Sequence, residues 1–277
     1  MLESAIHDHL MPSNAVGSVM RIRVVTPPGY DERREYPLLV LLHLWGSHER
    51  FWTDRLAVHL RLAEGVAEGT LPPMILAMPQ GDKSFYINAV DPPGIIWEDS
   101  PYNDASEYFY DGFDCYGNYG DYLLKEAIPF VEANYPVRRD RSGRAIGGLS
   151  MGAAGAAVHA FTDPGRFGAV GLHGLAVFYD PEGPGAPPWI FGIDDPEAFA
   201  QRDPAALARR FVTPENQPRI WLDCGWDDPL LPSIEQFHAE LRNLGLRHDY
   251  HVWPGGHDGA YWSQHVRDYL AFYAREW

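Results

Sequence analysis

The chain has 277 residues, 45% of them hydrophobic, so it is long enough to bury a large core, and we expect a single α/β domain over 1–277. Its 38 acidic and 22 basic residues give a formal charge of −16, which repels a phosphate backbone and argues against nucleic acid as a partner. No stretch approaches the roughly 20 apolar residues that cross a bilayer, so we predict no membrane partner.

The N-terminal residues lack the basic and apolar regions of a signal peptide. We therefore predict a cytoplasmic protein, with a secreted protein whose signal peptide was removed as the alternative. Two cysteines, Cys115 and Cys224, are too few for a disulfide framework and lack the spacing of a zinc site. We expect both thiols to be reduced and expect no metal or other cofactor, and a homo-oligomer stays open.

Short β-type runs recur along the chain, and several are continuously apolar, as is typical of strands covered on both faces. They are 18–27, 36–43, 73–79, 144–148, 167–173, 218–225 and 248–255. Helical spacing of apolar residues lies between them, over 119–136, 151–161, 232–245 and 261–277. Strands that alternate with helices indicate a mostly parallel sheet with helices on both faces.

Two irregular regions, 80–118 and 174–204, interrupt this alternation, and we expect both to be substrate-facing insertions. They are rich in aromatic residues, which can stack on an aromatic acyl group or a sugar. The candidates for substrate contact are Trp97, Phe113 and Trp189. The alternative is that these aromatic residues only attach long loops to the body of the protein.

The pentapeptide "GLSMG" at 148–152 fits the pattern G-x-S-x-G, with a predicted strand before it and a helix-compatible run after it. In that context the pattern indicates a nucleophilic serine, Ser150, on a sharp turn between strand and helix. The alternative is a packing segment of small residues whose serine has no role. A reactive serine also needs a base that is oriented by a carboxylate.

Two later loops supply candidates for that base and acid. Asp228 lies in "WDDPLL" and His257 in "GGHDGAYW", each just after a predicted strand. The order Ser150, Asp228, His257 is the one that a nucleophile elbow uses in an α/β sheet. Asp227 is an alternative acid, and Asp223 is expected in its strand. The histidines in helical stretches, His159 among them, are interpreted as surface or packing residues.

These segments together resemble the esterase D family of α/β-hydrolases, which includes feruloyl and acetylxylan esterases, S-formylglutathione hydrolases and mycolyltransferases. The resemblance rests on "RVVTPPGYDERREYPLLVLLH", "YGDYLLKEAIPFVEANYPV", "GRAIGGLSMGAAGA", "DCGWDDPLL" and "PGGHDGAYW". It implies the α/β-hydrolase fold over nearly the whole chain. It also favours Asp228 as the acid, because the spacing from Gly225 and the following Pro-Leu-Leu match the family's acid motif.

The resemblance implies an oxyanion hole made of two backbone N–H groups, from Met151 and Trp45, with Leu44 as the alternative to Trp45. Relatives usually have His-Gly here, whereas this chain reads His43-Leu44-Trp45-Gly46. If the loop needs a positive φ at position 44, leucine would be strained there.

The resemblance implies a serine carboxylesterase that acts on neutral esters of feruloyl, acetyl or short-chain type. An S-formylglutathione hydrolase or an acyltransferase of the same family is the alternative reaction. A catalytically silent binding protein on a hydrolase fold is the alternative from a different class. A metal-dependent hydrolase is disfavoured because the chain has no H-E-x-x-H or H-x-x-E-H motif.

Overall fold

The structure, a computed structural model, describes residues 3–90, 117–179 and 187–277, apart from the side chain of Trp189. The strands of the described residues are β1 (Ala5–Ser13), β2 (Ser18–Thr26), β3 (Leu38–Leu42), β4 (Ile75–Pro79), β5 (Arg144–Leu149), β6 (Ala169–His173), β7 (Arg219–Gly225) and β8 (His248–Trp253). The last seven confirm the predicted strands, and β1 lies outside the predicted set. Polar residues of β1, such as Asp8 and His9, hide its strand character.

The eight strands form one sheet in the order β1-β2-β4-β3-β5-β6-β7-β8. Neighbouring strands are parallel from β4 across to β8, whereas β1 pairs antiparallel with β2, and β2 pairs antiparallel with β4. The mostly parallel sheet is therefore confirmed. Strands β3, β4, β5 and β6 are buried along their whole length, which explains their continuous apolar sequences.

The described helices are α1 (Phe51–Asp54), α2 (Val58–Glu68), α3 (Tyr119–Asp121), α4 (Ile128–Asn134), α5 (Met151–Thr162), α6 (Pro188–Phe191), α7 (Pro196–Ala200), α8 (Pro204–Phe211), α9 (Leu231–Asn243) and α10 (Gly259–Ala274). A π-helical segment, Tyr122–Ala127, joins α3 to α4, so the predicted helix over 119–136 is continuous and ends before Pro136. Helices α5, α9 and α10 confirm the other three predicted helices.

The segment 174–204 is more regular than its sequence suggests, because it contains α6 and α7 and leads into α8. Asp195 and Asp203 accept hydrogen bonds from the first backbone N–H groups of α7 and α8, and a proline opens each of these helices. The aspartates and prolines that give the segment an irregular appearance are therefore helix-start residues. Of the other predicted insertion, 80–118, the part from 91 to 116 lies outside the described residues.

Helices cover both faces of the sheet. Alternate residues of β3 separate the two layers: Leu38, Val40 and Leu42 face a core built with α4, α5, α8 and α9. Leu39 and Leu41 face a second core built with α1, α2 and α10. Each face therefore has its own apolar layer, and the loops that follow the parallel strands meet at one edge of the sheet.

Helix α5 is buried from Met151 to Phe161 and packs against the turn that follows β4. A Cβ atom on Gly155 would lie 2.4 Å from the Phe85 carbonyl oxygen, so only glycine permits this approach. His159 Nε2 donates to the Tyr86 carbonyl oxygen at 2.6 Å, and burial lowers the pKa of His159 from 6.5 to about 4. His159 is thus a neutral packing residue.

Because the His159 imidazole is buried in its neutral form, we predict that the folded protein loses stability in acid. Between pH 6.5 and about 4 the unfolded chain binds a proton at His159 that the folded protein does not bind, so stability falls as the pH falls through that interval. We expect His159→Gln, whose amide can still donate to Tyr86, to reduce the slope of unfolding free energy against pH by up to about 1.4 kcal/mol per pH unit. Urea unfolding of both proteins across this interval measures the slope, and parallel curves would contradict the prediction.

Candidate active site

Ser150 occupies a sharp turn between β5 and α5. Its backbone has φ 55° and ψ −111°, a conformation that a residue with a Cβ rarely adopts. The Ser150 N–H donates to the His173 carbonyl oxygen at 2.9 Å, and the Ser150 carbonyl accepts from the Ala176 N–H at 3.3 Å. Hydrogen bonds to the end of β6 and the loop after it therefore hold the strained turn on both sides.

Two glycines make room for this turn. A Cβ atom on Gly148 would lie 2.3 Å from the Gly152 carbonyl carbon, and one on Gly152 would lie 2.6 Å from the carbonyl oxygens of Leu42 and His43. Both positions therefore require glycine, which is the physical reason for the pattern G-x-S-x-G in this chain. The contact at Gly152 also brings the start of α5 against the loop that follows β3.

The three residues predicted as nucleophile, base and acid lie together at the carboxyl edge of the sheet. His257 Nε2 is 2.8 Å from Ser150 Oγ, and His257 Nδ1 is 2.7 Å from Asp228 Oδ2. Because a carboxylate only accepts hydrogen bonds, Nδ1 carries the imidazole proton and Nε2 accepts from the serine hydroxyl. This is the geometry that activates a serine for nucleophilic attack.

The environments of the two partners differ. The Asp228 side chain is 1% exposed, and its Oδ1 accepts from the Leu230 N–H at 2.8 Å, while the His257 side chain is 21% exposed. The Asp228 carboxylate is thus fixed inside the protein, whereas part of the His257 imidazole is accessible from outside. Of the alternative acids, Asp227 is exposed, and Asp223 is fully buried with partners other than His257.

The loop after β3 turns tightly beside Ser150. The Ser47 N–H donates to the Leu44 carbonyl at 3.2 Å, and the left-handed residue of this turn is Gly46, with φ 69°. Leu44 and Trp45 have negative φ values, so the strain considered for leucine at position 44 does not arise. Within the described residues, neither the Trp45 N–H nor the Met151 N–H has an acceptor.

His43 fixes this loop from inside. Its Nδ1 donates to the Leu44 carbonyl at 2.8 Å, and its Nε2 accepts from the Gly81 N–H at 2.9 Å. Burial lowers the pKa of His43 from 6.5 to about 3, so the imidazole stays neutral. In the sequence His43 marks only the end of a predicted strand, and a single histidine there gives no signal of this role.

An aromatic cluster extends from the loop. The Trp45 ring lies 5.5 Å from that of Phe85, which in turn contacts Phe178 at 5.8 Å and Phe191 at 5.0 Å between centroids. Of the predicted substrate contacts, Trp97 and Phe113 lie outside the described residues. Trp189 is in α6, beside Phe191, and its side chain is not described.

A polar network that the sequence did not predict lies beneath the site. His173 and Asp223, both fully buried, are joined by a hydrogen bond of 2.6 Å. The sequence does contain one signal of this pair, a polar residue in an otherwise apolar strand. His173 ends the run "FGAVGLH", and Asp223 lies within "RIWLDCG".

Two classes of feature are absent from the described ranges. They contain no cluster of three or more His, Cys, Asp or Glu residues able to bind a metal ion. None of the helices in these ranges has both the length and the apolar character needed to cross a membrane.

Comparison with known proteins identifies the family of the chain. The esterase family model, described as "Putative esterase", matches residues 13–273. The esterase Rv1288 of Mycobacterium tuberculosis is 26% identical over 274 residues, which cover 88% of this chain and 54% of that protein. The chain thus spans about half the length of this relative.

Two solved structures show the same fold. A ferulic acid esterase superposes with a TM-score of 0.79 at 23% identity, with all of both chains covered. The S-formylglutathione hydrolase FrmB of Staphylococcus aureus superposes with a TM-score of 0.75 at 19% identity, over 98% of this chain and 99% of that one. The chain therefore has the α/β-hydrolase fold and belongs to the esterase family.

Proposed function

We propose that this protein is a serine carboxylesterase that hydrolyses neutral esters, with Ser150 as nucleophile, His257 as general base and acid, and Asp228 as the orienting carboxylate. The observation that carries the proposal is the hydrogen-bonded chain Ser150 Oγ–His257 Nε2 at 2.8 Å and His257 Nδ1–Asp228 Oδ2 at 2.7 Å. Membership of the esterase family supports it independently.

The reaction follows from the proton positions. His257 Nε2 takes the Ser150 proton as Oγ attacks the ester carbonyl, and the Asp228 carboxylate stabilises the imidazolium that forms. His257 then gives the proton to the leaving alcohol as the C–O bond breaks, which leaves an acyl group on Ser150. His257 then deprotonates a water molecule, whose oxygen attacks the acyl carbon. As the bond from that carbon to Oγ breaks, His257 returns the proton to Ser150 and the carboxylic acid is released.

The developing oxyanion is held by the N–H groups of Met151 and Trp45 in this proposal. Both lack acceptors among the described residues, and the close approach at Gly152 brings their two loops together. Two preorganised donors can stabilise a transition state by several kcal/mol. Leu44 remains the alternative to Trp45, because the turn closed by Ser47 and Leu44 involves neither N–H group.

The proposed substrate has a neutral acyl group, because the chain carries a charge of −16 and so repels an anionic ester. The cluster of Trp45, Phe85 and Phe178 begins in the proposed oxyanion loop and could receive an aromatic acyl group such as that of a feruloyl ester. The likeness to a ferulic acid esterase supports the same class. Acetyl and short-chain esters are the other members of the proposed range, and Trp97, Phe113 and Trp189 stay proposed substrate contacts.

A thioester hydrolase is the second candidate, because an S-formylglutathione hydrolase superposes almost as well. Comparison of S-formylglutathione with p-nitrophenyl acetate and methyl ferulate distinguishes the two candidates by kcat/KM. Added acceptor alcohols distinguish an acyltransferase, which would form a new ester instead of the free acid.

Replacement of the nucleophile is the first test. Ser150→Ala is expected to abolish ester turnover and labelling by a fluorophosphonate, because the proposed acyl-enzyme forms on the Ser150 hydroxyl. Ser263→Ala is the matched control, since among the described residues its hydroxyl donates to the Ala260 carbonyl on α10 and contacts no residue of the proposed triad. Mass spectrometry of labelled peptides identifies the serine. Activity retained in Ser150→Ala would overturn the proposal, and an unlabelled wild-type protein would favour a silent binding protein.

Substitution of each of two adjacent aspartates tests whether Asp228 or Asp227 is the acid. Asp228→Asn is expected to lower kcat by about 10³- to 10⁴-fold, because an amide can donate to Nδ1 and so leave the imidazole proton on Nε2. The control is Asp227→Asn, which alters an exposed carboxylate one residue away and is expected to keep near-normal kcat. Steady-state kinetics on one ester measure both, and the reverse order of effects would assign the acid to Asp227.

A further inference from the structure

A second histidine–aspartate pair lies beneath the proposed catalytic residues. His173 ends β6, and Asp223 lies in β7, directly opposite it in the parallel register. Their side chains are fully buried, and His173 Nδ1 donates to Asp223 Oδ1 at 2.6 Å. A buried carboxylate costs several kcal/mol unless it is fully hydrogen-bonded, so its partners decide what it does.

Asp223 accepts four hydrogen bonds. Besides His173, Trp221 Nε1 donates to Oδ1 at 2.7 Å, and the hydroxyls of Tyr261 and Tyr269 donate to Oδ2 at 2.8 and 2.9 Å. Burial and the charge of Asp223 raise the pKa of both tyrosines, so they remain protonated donors. One carboxylate thus joins β6, β7 and α10.

One branch of the network leads to the nucleophile. The carbonyl of His173 accepts the Ser150 N–H at 2.9 Å, and the next residue, Gly174, donates its N–H to the Asp223 carbonyl at 2.8 Å. The His173 ring is fixed on its other side by Tyr273, whose hydroxyl lies 3.1 Å from Nε2. His173 is therefore held at both ring nitrogens where its backbone supports the strained turn at Ser150.

The other branch leads to the base. Tyr261 lies in the first turn of α10, four residues after His257, and its N–H donates to the capping Asp258 carboxylate at 2.9 Å. A Cβ atom on Gly255 would lie 2.8 Å from the Tyr261 ring, so the loop before His257 packs directly on this tyrosine. The bond from Tyr261 to Asp223 therefore fixes the start of α10, and with it the His257 loop, against β7.

We propose that Asp223 is a positioning residue that aligns Ser150 and His257 with each other, through His173 on one side and Tyr261 on the other. The proposal rests on the catalytic roles given above. Its physical basis is that an activated serine needs its base at hydrogen-bond distance, and a displacement of about 1 Å can reduce the rate by about 10²-fold. A network that only filled the core would stabilise the fold without affecting this alignment.

Two tyrosines of α10 provide a matched test. Tyr261→Phe and Tyr269→Phe each remove one hydroxyl that donates to the same oxygen, Asp223 Oδ2, and each residue is 1% exposed. The two tyrosines differ in their distance from His257 along the chain. Tyr261 is one helical turn from His257, and Tyr269 lies two further turns along α10. Asp223 keeps three donors in either variant.

We expect both variants to lose a similar free energy of unfolding in urea. Tyr261→Phe is expected to lower kcat on a p-nitrophenyl ester by about 10-fold or more with KM within about 2-fold, and to slow fluorophosphonate labelling of Ser150 to a similar degree. Tyr269→Phe is expected to keep kcat within about 2-fold of the wild type. Assays well below each unfolding midpoint ensure that kcat describes folded protein.

Equal kcat values in the two variants would overturn the positioning role, and the network would then be a stabilising element only. This outcome differs from failure of the proposed function, in which the wild-type protein itself neither hydrolyses esters nor labels at Ser150. In that second case both proposals are overturned.

Discussion

The left-handed backbone at Ser150 is the constraint on which the arrangement of this edge depends. A residue with a Cβ takes that conformation only when surrounding contacts compensate its strain, of order 1–3 kcal/mol. Here the compensation comes from the hydrogen bonds to His173 and Ala176 and from close backbone packing at Gly148 and Gly152. The same contacts bring the loops after β3, β5 and β6 to one place, so the geometry of the elbow also sets the geometry of its neighbours.

Much of this arrangement could be predicted from the sequence, because the buried parallel strands give continuous apolar runs and the site residues follow them directly. The distances between Ser150, His257 and Asp228 agree with the predicted grouping, although their catalytic roles remain proposals. The missed elements have physical reasons. Strand β1 is an exposed edge with polar residues, and α7 and α8 begin at Asp-Pro pairs that resemble loop sequences.

Outside the predicted group of Ser150, His257 and Asp228, the tertiary partners of buried polar side chains could not be predicted. A histidine at the end of β6 and an aspartate within β7 stand out in apolar runs, but only the parallel register places them opposite each other. The backbone of the loop after β3 is a similar case. Its departure from the family pattern suggests strain at Leu44, whereas the left-handed conformation falls on Gly46, two residues later. Such assignments depend on the three-dimensional path of the chain.

The location of α10 has a consequence for how the protein is made. A Cβ atom on Gly147 or Gly171 would lie 1.7 or 1.8 Å from the Tyr273 hydroxyl, so the late helix α10 packs closely on the face of two adjacent central strands, β5 and β6. The pair Ser150 and His257 is separated by 107 residues. During translation Ser150, the proposed nucleophile, therefore leaves the ribosome before His257 and before α10. Non-local contacts of this kind slow folding, and the proposed nucleophile meets its proposed base only after the C-terminal part of the chain has been synthesised.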